Sequence, residues 1–413
     1  MVTVKFKFER DNWRMEDMAE ELEALAATSG AEIVESISFH GEKPTANFFI
    51  GSGKAEEIAF QCAEEKIDTV IFSRDLSGTQ QRNLEEVIDK KTLDRTQLIL
   101  HIFARHAKSP EGKMQVELAQ LQYLLPRLIG KGVILSRLGG GIGTSGPGEQ
   151  KLEVDRRRIR KRIEKLEVDL RRLTVHRNLL RKKRKGSGVT SVALVGYTNA
   201  GKSTLLNAFT QANQVVSDTL FTTLDPLSKS LVLPNGEHIV ISDTVGFLNN
   251  LPHHLIEAFK ATLEEIVVAD LLIHVLDAHH ARVYEQNQAV ISVLEQLEVA
   301  DKPRIVALNK IDLLDDKTWL EKIMQDLAPA VPISAKLSYN LDLLLAEIEK
   351  RFTQNLTPLY IQIPHARMDL VDLFYREGKV KEIKYLDKGI QIKVDLPKIL
   401  SQKLLQNKEI EIL

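Results

Sequence analysis

The first hundred residues switch repeatedly between two hydrophobic spacings. Apolar residues at every second position, as in Val2, Val4 and Phe6, predict strands, and spacings of three and four predict helices. Such runs alternate along residues 2–8, 15–27, 32–39, 55–66, 69–73 and 77–90. Alternation of this kind is typical of an α/β domain, and we expect one over residues 1–108.

The next segment changes to a longer helical pattern. Residues 113–128 carry leucines on one face, and Pro126 should kink or end this helix. After a glycine-dense loop at residues 139–148, a charged helix at residues 150–185 carries a seam about four heptads long. The pattern predicts an antiparallel helical hairpin over residues 109–187. The seam consists of Leu152, Ile159, Ile163, Leu166, Leu170, Leu173 and Leu180.

A second alternation of strands and helices begins after the linker at residues 185–188 and continues to about residue 352. It predicts another α/β domain, at residues 188–354. Three strand-like regions and two helical ones follow, which predict a small α+β domain at residues 355–413. The strands are expected at residues 359–363, 379–396 (a pair) and 409–413, and the helices at residues 367–375 and 398–405.

Composition sets the class of protein and its surroundings. The 413 residues carry 27% charged and 43% hydrophobic residues and a net charge of -1, as in an ordinary globular protein without an overall cationic surface. The single cysteine, Cys62, fits a reducing compartment. The chain has no signal-peptide pattern and no apolar run of about 18 residues. We expect a cytoplasmic monomer with no integral membrane association and no DNA partner.

A phosphate-binding loop follows the predicted buried strand at residues 191–195. The run Gly196-Tyr-Thr-Asn-Ala-Gly-Lys-Ser203 matches the P-loop pattern and leads into a helix. Its backbone N–H groups should surround the phosphates, and Lys202 should reach the β- and γ-phosphates. We therefore expect a P-loop NTPase domain within this α/β chain. The loop predicts nucleotide contacts by Gly196, Tyr197, Thr198, Asn199, Ala200, Gly201, Lys202, Ser203 and Thr204.

Three further motifs, each after an apolar strand, decide the base. The Asp312 carboxylate of Asn309-Lys-Ile-Asp312 can accept hydrogen bonds from guanine N1–H and the exocyclic amine, which adenine does not offer as a pair. Ser334-Ala-Lys336 should present an N–H group to guanine O6, and Asp243-Thr-Val-Gly246 should meet Mg²⁺ and the γ-phosphate. Together they predict a GTPase. The contacts come from Asp243, Gly246, Asn309, Lys310, Asp312, Ser334, Ala335 and Lys336.

The same segments predict the metal site and the catalytic groups. The Ser203 hydroxyl should bind Mg²⁺ directly, and Asp243 should hold it through water. A threonine of the loop at residues 219–226 should close over the γ-phosphate and complete the metal site; Thr223 is the first choice and Thr222 the second, against the alternative of an ordinary threonine-rich loop. Lys202, Gly246 and Thr223 are the expected catalytic residues.

Phe247 occupies the position after Gly246 where many GTPases carry a glutamine that orients the attacking water. Phenylalanine cannot hydrogen-bond water. Intrinsic hydrolysis should therefore be slow, or the water must be held by another residue, an ion or a partner.

Several stretches of the chain are distinctive of one family: residues 51–58, 111–121, 139–149, 155–157, 220–226, 243–247, 251–255 and 259–265. Through them the whole chain resembles the HflX-type GTPases. The resemblance implies an N-terminal HflX domain in two parts, a GTP-binding domain, binding to the large ribosomal subunit and its RNA, and dissociation of stalled or idle ribosomes under stress. In similar GTPases without the glutamine, an asparagine at the position of Asn199 helps to bind K⁺; the alternative is a hydrogen bond within its own loop.

A local cationic surface agrees with an RNA partner. Residues 151–185 contain sixteen Lys and Arg against five Asp and Glu, although a solvated coiled-coil face would have a similar composition. The candidates for RNA contact are Arg156, Arg157, Arg160 and Lys161.

Two other functions stay open from the sequence. One is a signalling GTPase with a protein effector, which the absence of a lipidation motif disfavours. The other is an ATP-dependent RNA remodeller acting through the N-terminal domain. Gly51-Ser-Gly-Lys54 lacks the spacing of a phosphate loop, and a turn that leads into a helix is the simpler interpretation.

Overall fold

The computed structural model contains three sheets along the chain, and a long helical hairpin lies between the first and the second. It describes residues 1–8, 13–128, 147–185, 190–210, 220–221, 227–249, 252, 255, 260–315, 317–354, 356–386, 389–397, 400–401, 404 and 410–413. The predicted α/β class with a small C-terminal α+β unit is confirmed.

The N-terminal sheet contains four parallel strands in the order β2-β1-β3-β4. Helices cover both of its faces, so its inner strands are buried on both sides and read as apolar runs. The elements are β1 (Val2–Phe6), α1 (Met15–Thr28), β2 (Ile37–Gly41), α2 (Ser52–Glu64), β3 (Thr69–Phe72), α3 (Gly78–Ile88), β4 (Lys91–Asp94) and α4 (Arg95–His106).

Gly51-Ser-Gly-Lys54 proves to be the turn that begins α2. Gly51 has a φ of 90°, which favours glycine, and caps the helix. The Lys54 ammonium pairs with Glu57 one turn later, at 2.6 Å. Nothing in this geometry supports a second nucleotide site.

The helical hairpin joins α5 (Pro110–Arg127) to α6 (Pro147–Lys185). Arg162 binds Glu117 at 2.6 Å and Arg177 binds Glu111 at 2.9 Å, so the two helices run antiparallel, as predicted. Leu166 of the seam is fully buried. Helix α5 ends one residue after Pro126.

The central sheet has six strands in the order β10-β9-β8-β5-β7-β6, and only β6 runs antiparallel to its neighbour. Its strands are β5 (Thr190–Gly196), β6 (Leu227–Val232), β7 (His238–Asp243), β8 (Leu271–Asp277), β9 (Arg304–Asn309) and β10 (Ala330–Pro332). Its helices are α7 (Lys202–Thr210), α8 (Lys260–Val268), α9 (Val283–Gln296), α10 (Lys317–Asp326) and α11 (Leu341–Gln354).

The C-terminal unit is an antiparallel sheet in the order β12-β13-β11-β14. It contains β11 (Leu356–Ile363), α12 (Met368–Glu377), β12 (Lys379–Leu386), β13 (Gly389–Pro397) and β14 (Glu411–Ile412). Helix α12 packs Phe374 onto one face of this sheet. The predicted helix at residues 398–405 falls mostly outside the described residues. The four domain boundaries set from the sequence remain our proposal.

Asp94 is a buried carboxylate of the N-terminal domain that connects α4 to α5. It has no exposed surface and accepts hydrogen bonds from Gln97 N (2.8 Å), Leu76 N (3.2 Å) and the Tyr123 hydroxyl (2.5 Å). Arg127 donates a fourth, at 3.2 Å. These bonds cap α4 and fix the last turn of α5 against the N-terminal domain.

Asp94→Ala should lower the free energy of unfolding by about 2–4 kcal/mol, because it leaves the half-buried Arg127 guanidinium and the buried Tyr123 hydroxyl without this acceptor. Chemical denaturation of the full chain measures the change. Asp68→Ala, at an exposed aspartate of the same domain, is the control and should change stability by less than about 0.5 kcal/mol. Equal effects of the two changes would contradict the assigned role.

Candidate nucleotide-binding site

The predicted motifs meet at one edge of the central sheet. Parallel strands β5, β7, β9 and β10 end at this edge, and each is followed by one of the motifs. Ligand sites of open α/β sheets lie at the carboxyl ends of the strands. The topology therefore brings together side chains that lie up to 140 residues apart in the chain.

The phosphate loop (residues 196–203) has a tightly turned backbone. Gly201 has a φ of 95°, and a Cβ atom there would lie 2.2 Å from Asn309 Nδ2. Only glycine fits this position. Helix α7 begins at Lys202, so the free N–H groups of its first turn lie next to the loop and favour an anion.

The Lys202 side chain is buried inside the loop that should hold the phosphates. Its Nζ donates hydrogen bonds to Gly196 O (3.1 Å) and Tyr197 O (2.8 Å). Burial lowers the pKa of Lys202 to about 8, and the charge of Asp243 acts against that shift. A phosphate beside this ammonium would supply the missing counter-charge.

Ser203 and Asp243, which the sequence predicts to hold Mg²⁺, lie in direct contact. The Ser203 hydroxyl donates to Asp243 Oδ2 at 2.6 Å, and both side chains are buried. A hydroxyl and a carboxylate are oxygen ligands of the kind that Mg²⁺ prefers, so the residues present fit this ion. Thr223 and Thr222 lie outside the described residues.

Asn309 connects the guanine motifs to the phosphate loop. Its Nδ2 donates to Ala200 O at 2.8 Å, and its Oδ1 accepts from Ala335 N at 2.9 Å. Lys310 is held by Asp277 at the end of β8, at 2.6 Å. Sequence reasoning missed Asp277, although its position at a strand end next to the site was a usable signal.

The side chains predicted to lie near the base differ in exposure. Asp312 lies exposed in a short 3₁₀ helix, Ile311–Leu313, and Lys336 is also exposed. The Ser334 hydroxyl accepts a hydrogen bond from Leu337 N at 3.2 Å and shapes the third guanine loop. A purine base can therefore approach Asp312 from solvent.

The segment at residues 243–249 packs directly on the phosphate loop. Phe247 N donates to Gly196 O (3.1 Å), and Thr198 N donates to Phe247 O (2.8 Å). A Cβ atom on Gly246 would lie 2.8 Å from Thr198 Cα and 3.0 Å from Lys202 Nζ, so the position requires glycine. The Phe247 side chain is buried in the core and does not face the phosphates.

The RNA-contact candidates lie on α6, away from the nucleotide site. Arg156 and Arg160 pair with Glu153, at 3.5 and 3.9 Å. Arg157 and Lys161 are exposed and have no ion pair within the described residues.

Comparison with known proteins identifies the family. Three family models match in succession: "GTP-binding GTPase N-terminal" at residues 16–104, "GTP-binding GTPase Middle Region" at residues 106–184 and "50S ribosome-binding GTPase" at residues 191–310. The "GTPase HflX" of Caldanaerobacter subterraneus is 46% identical over 94% of this chain and 90% of its own length. The chain belongs to the HflX family of GTPases. It binds GTP and hydrolyses it.

Two further matches cover most of the chain. The "GTPase HflX" of Escherichia coli is 38% identical over 96% of this chain and 93% of its own. A crystal structure of a GTP-binding protein from Sulfolobus solfataricus in complex with GDP is 27% identical, covers 86% of this chain and 98% of its own, and superposes with a TM-score of 0.44.

Asp312→Asn should convert this HflX protein from guanine to xanthine specificity. The amide can donate to the xanthine oxygen but leaves guanine N1–H without a carboxylate, so GTP affinity should fall about 100-fold or more. Fluorescent-nucleotide competition with GTP, XTP and ATP measures the change.

Asp315→Asn removes an equal charge at an exposed neighbour outside the motif and should leave the preference unchanged. Wild-type protein that binds ATP at this site as well as GTP would show that the guanine assignment is wrong.

Proposed function

We propose that this HflX-family GTPase binds the large ribosomal subunit through the helical hairpin and separates or rescues stalled or idle ribosomes under stress. It acts in the cytoplasm as a monomer. Within the part of the chain that the structure describes, every helix is too short or too polar to cross a bilayer.

The observation that carries the proposal is a row of cations on the outer face of α6. Arg157, Lys161, Lys165 and Arg172 are all exposed, and their spacing of four, four and seven residues places them on one side of the helix. Arg172 also pairs with Asp169, at 3.9 Å. At 1.5 Å per residue the row is about 22 Å long. A row of this length matches a run of several phosphates along an RNA backbone.

Two further facts support this partner. The whole chain has a net charge of -1, so the cationic row is a local feature and not the result of a basic composition. The family model that matches residues 191–310 is described as a 50S ribosome-binding GTPase.

We further propose the roles at the nucleotide site. Lys202 and the Gly246 N–H group stabilise the γ-phosphate, and Ser203, Thr223 and, through water, Asp243 hold Mg²⁺. That ion would neutralise charge on the β- and γ-phosphates. The base contacts come from Asn309, Lys310, Asp312 and the loop Ser334-Ala335-Lys336.

Reversing the charge of all four RNA-contact candidates should weaken ribosome binding. We expect the exposed, unpaired residues to contribute more than the two that pair with Glu153. Arg157→Glu with Lys161→Glu should lower the affinity for isolated large subunits and reduce the slope of log affinity against log salt by about 2. Arg156→Glu with Arg160→Glu, the matched pair already bound to Glu153, should change the slope less.

Co-sedimentation across a salt titration, with GDP and with a non-hydrolysable GTP analogue, measures both pairs. Binding of the Arg157/Lys161 variant that equals wild type at every salt concentration would overturn the proposed surface.

We propose that a K⁺ ion takes the place of the missing glutamine in promoting hydrolysis. Asn199 is exposed, has a φ of 60° and makes no side-chain hydrogen bond within the described residues, so its amide oxygen is available to an ion. Such an ion would place positive charge beside the β- and γ-phosphates.

Hydrolysis should therefore be faster in K⁺ than in Na⁺ at equal ionic strength. Asn199→Ala should remove the difference and leave GDP affinity nearly unchanged. Equal rates of the wild type in both salts would exclude K⁺ and leave the large subunit as the activator, which adding purified subunits would test.

A further inference from the structure

The N-terminal domain contacts the phosphate loop at Tyr197. This side chain belongs to the phosphate loop, but it lies 5% exposed against α1, where its ring stacks on Trp13 with 6.2 Å between centroids. Its hydroxyl donates a hydrogen bond to Glu21 and accepts one from Asn249 N at 2.8 Å. Burial, with the nearby Glu21 charge, raises the pKa of Tyr197, so the hydroxyl stays protonated and remains a donor.

Arg95, the first residue of α4, closes these bonds into a ring. Its guanidinium donates to Glu21 Oε1 (2.5 Å) and to Asn249 O (2.7 Å). The ring therefore runs from Glu21 to Tyr197, to both backbone groups of Asn249, and through Arg95 back to Glu21. The Arg95 and Glu21 side chains are only 11% and 13% exposed.

Resting on the roles proposed above for Lys202 and Gly246, we infer that Glu21 and Arg95 set the preference of the site between GTP and GDP: they hold the backbone of Asn249 and so fix Gly246 against the phosphate loop. Asn249 lies three residues after Gly246 and two after Phe247. Phe247 is itself bonded to Gly196 and Thr198 on both sides. A shift of Gly246 must therefore move Asn249 or break the ring.

The ring opposes entry of a γ-phosphate. Gly246 packs directly on Lys202, the ammonium that should hold that phosphate, as shown by the 3.0 Å between Lys202 Nζ and a Cβ atom built on Gly246. The triphosphate must displace Gly246, whereas a diphosphate need not. Breaking the Glu21–Arg95 pair would leave a charge in a poorly solvated site, so the ring resists displacement. GTP binding and the position of the N-terminal domain are thereby linked.

The domains also touch where the ring is not involved, which provides a matched control. Arg282, just before α9, binds Asp17 at 2.8 Å and Glu20 at 3.2 Å, and its guanidinium lies 5.0 Å from the centre of the Trp13 ring. It joins the same helix α1 to the GTPase domain but contacts neither the phosphate loop nor Asn249 through any of these bonds.

Tyr197→Phe in the full chain tests the inference, because it keeps the stacking on Trp13 and removes both hydroxyl bonds. The ratio of affinities for a non-hydrolysable GTP analogue and for GDP should rise in favour of the analogue by about 3- to 30-fold. Glu21→Gln should act in the same direction. The two changes combined should have less than the product of their single effects, since both break one ring. Arg282→Gln should shift the ratio less than about twofold.

Stopped-flow nucleotide binding gives the ratios, and single-turnover hydrolysis separates kcat from affinity. Thermal unfolding confirms that each variant is folded. An unchanged ratio in both Tyr197→Phe and Glu21→Gln would overturn the inference. An equal change in Arg282→Gln would also overturn it, because the effect would then come from loosening the domain interface in general.

Discussion

The candidate nucleotide site depends on the backbone shape of the phosphate loop, and the side-chain amide of Asn309 helps to fix that shape. Asn309 binds the carbonyl of Ala200 in the phosphate loop and the N–H of Ala335 in the third guanine loop. Its nitrogen occupies the space that a side chain at Gly201 would need. These two hydrogen bonds connect the phosphate loop to the loops expected to bind the base. A base bound in those loops would therefore bring its phosphates into the phosphate loop.

The features that could be predicted from the sequence are those that a few adjacent residues encode. The phosphate loop and the guanine motifs each lie at the end of one apolar strand, so a few adjacent residues identified them and the parallel sheet brought them together. Strand β4 and helix α4 were missed. The run Leu98, Ile99, Leu100, Ile102 and Phe103 is buried on nearly all sides, so it lacks the polar face that makes a helical period visible.

The ring around Tyr197 could not be predicted for the opposite reason. Its hydroxyl meets Glu21 across 176 residues of sequence, and nothing at either position signals the other. The charges of α6 show a milder form of this limit. The count of basic residues was known, but only the fold shows that Arg156 and Arg160 share the carboxylate of Glu153, while Arg157 and Lys161 are exposed without an ion pair among the described residues.

The two faces of the central sheet belong to different apolar clusters. One apolar cluster joins Phe247 and Val245 to Leu22 and Phe103 of the N-terminal domain, and a separate cluster on the opposite face holds α7 and α11. Val245 and Phe247, on either side of Gly246, therefore share a core with the N-terminal domain. Packed cores respond to a displacement as a unit and not atom by atom. Our inference therefore predicts that a displacement of Gly246 would act first on α1, α4 and α5, whose residues share this cluster.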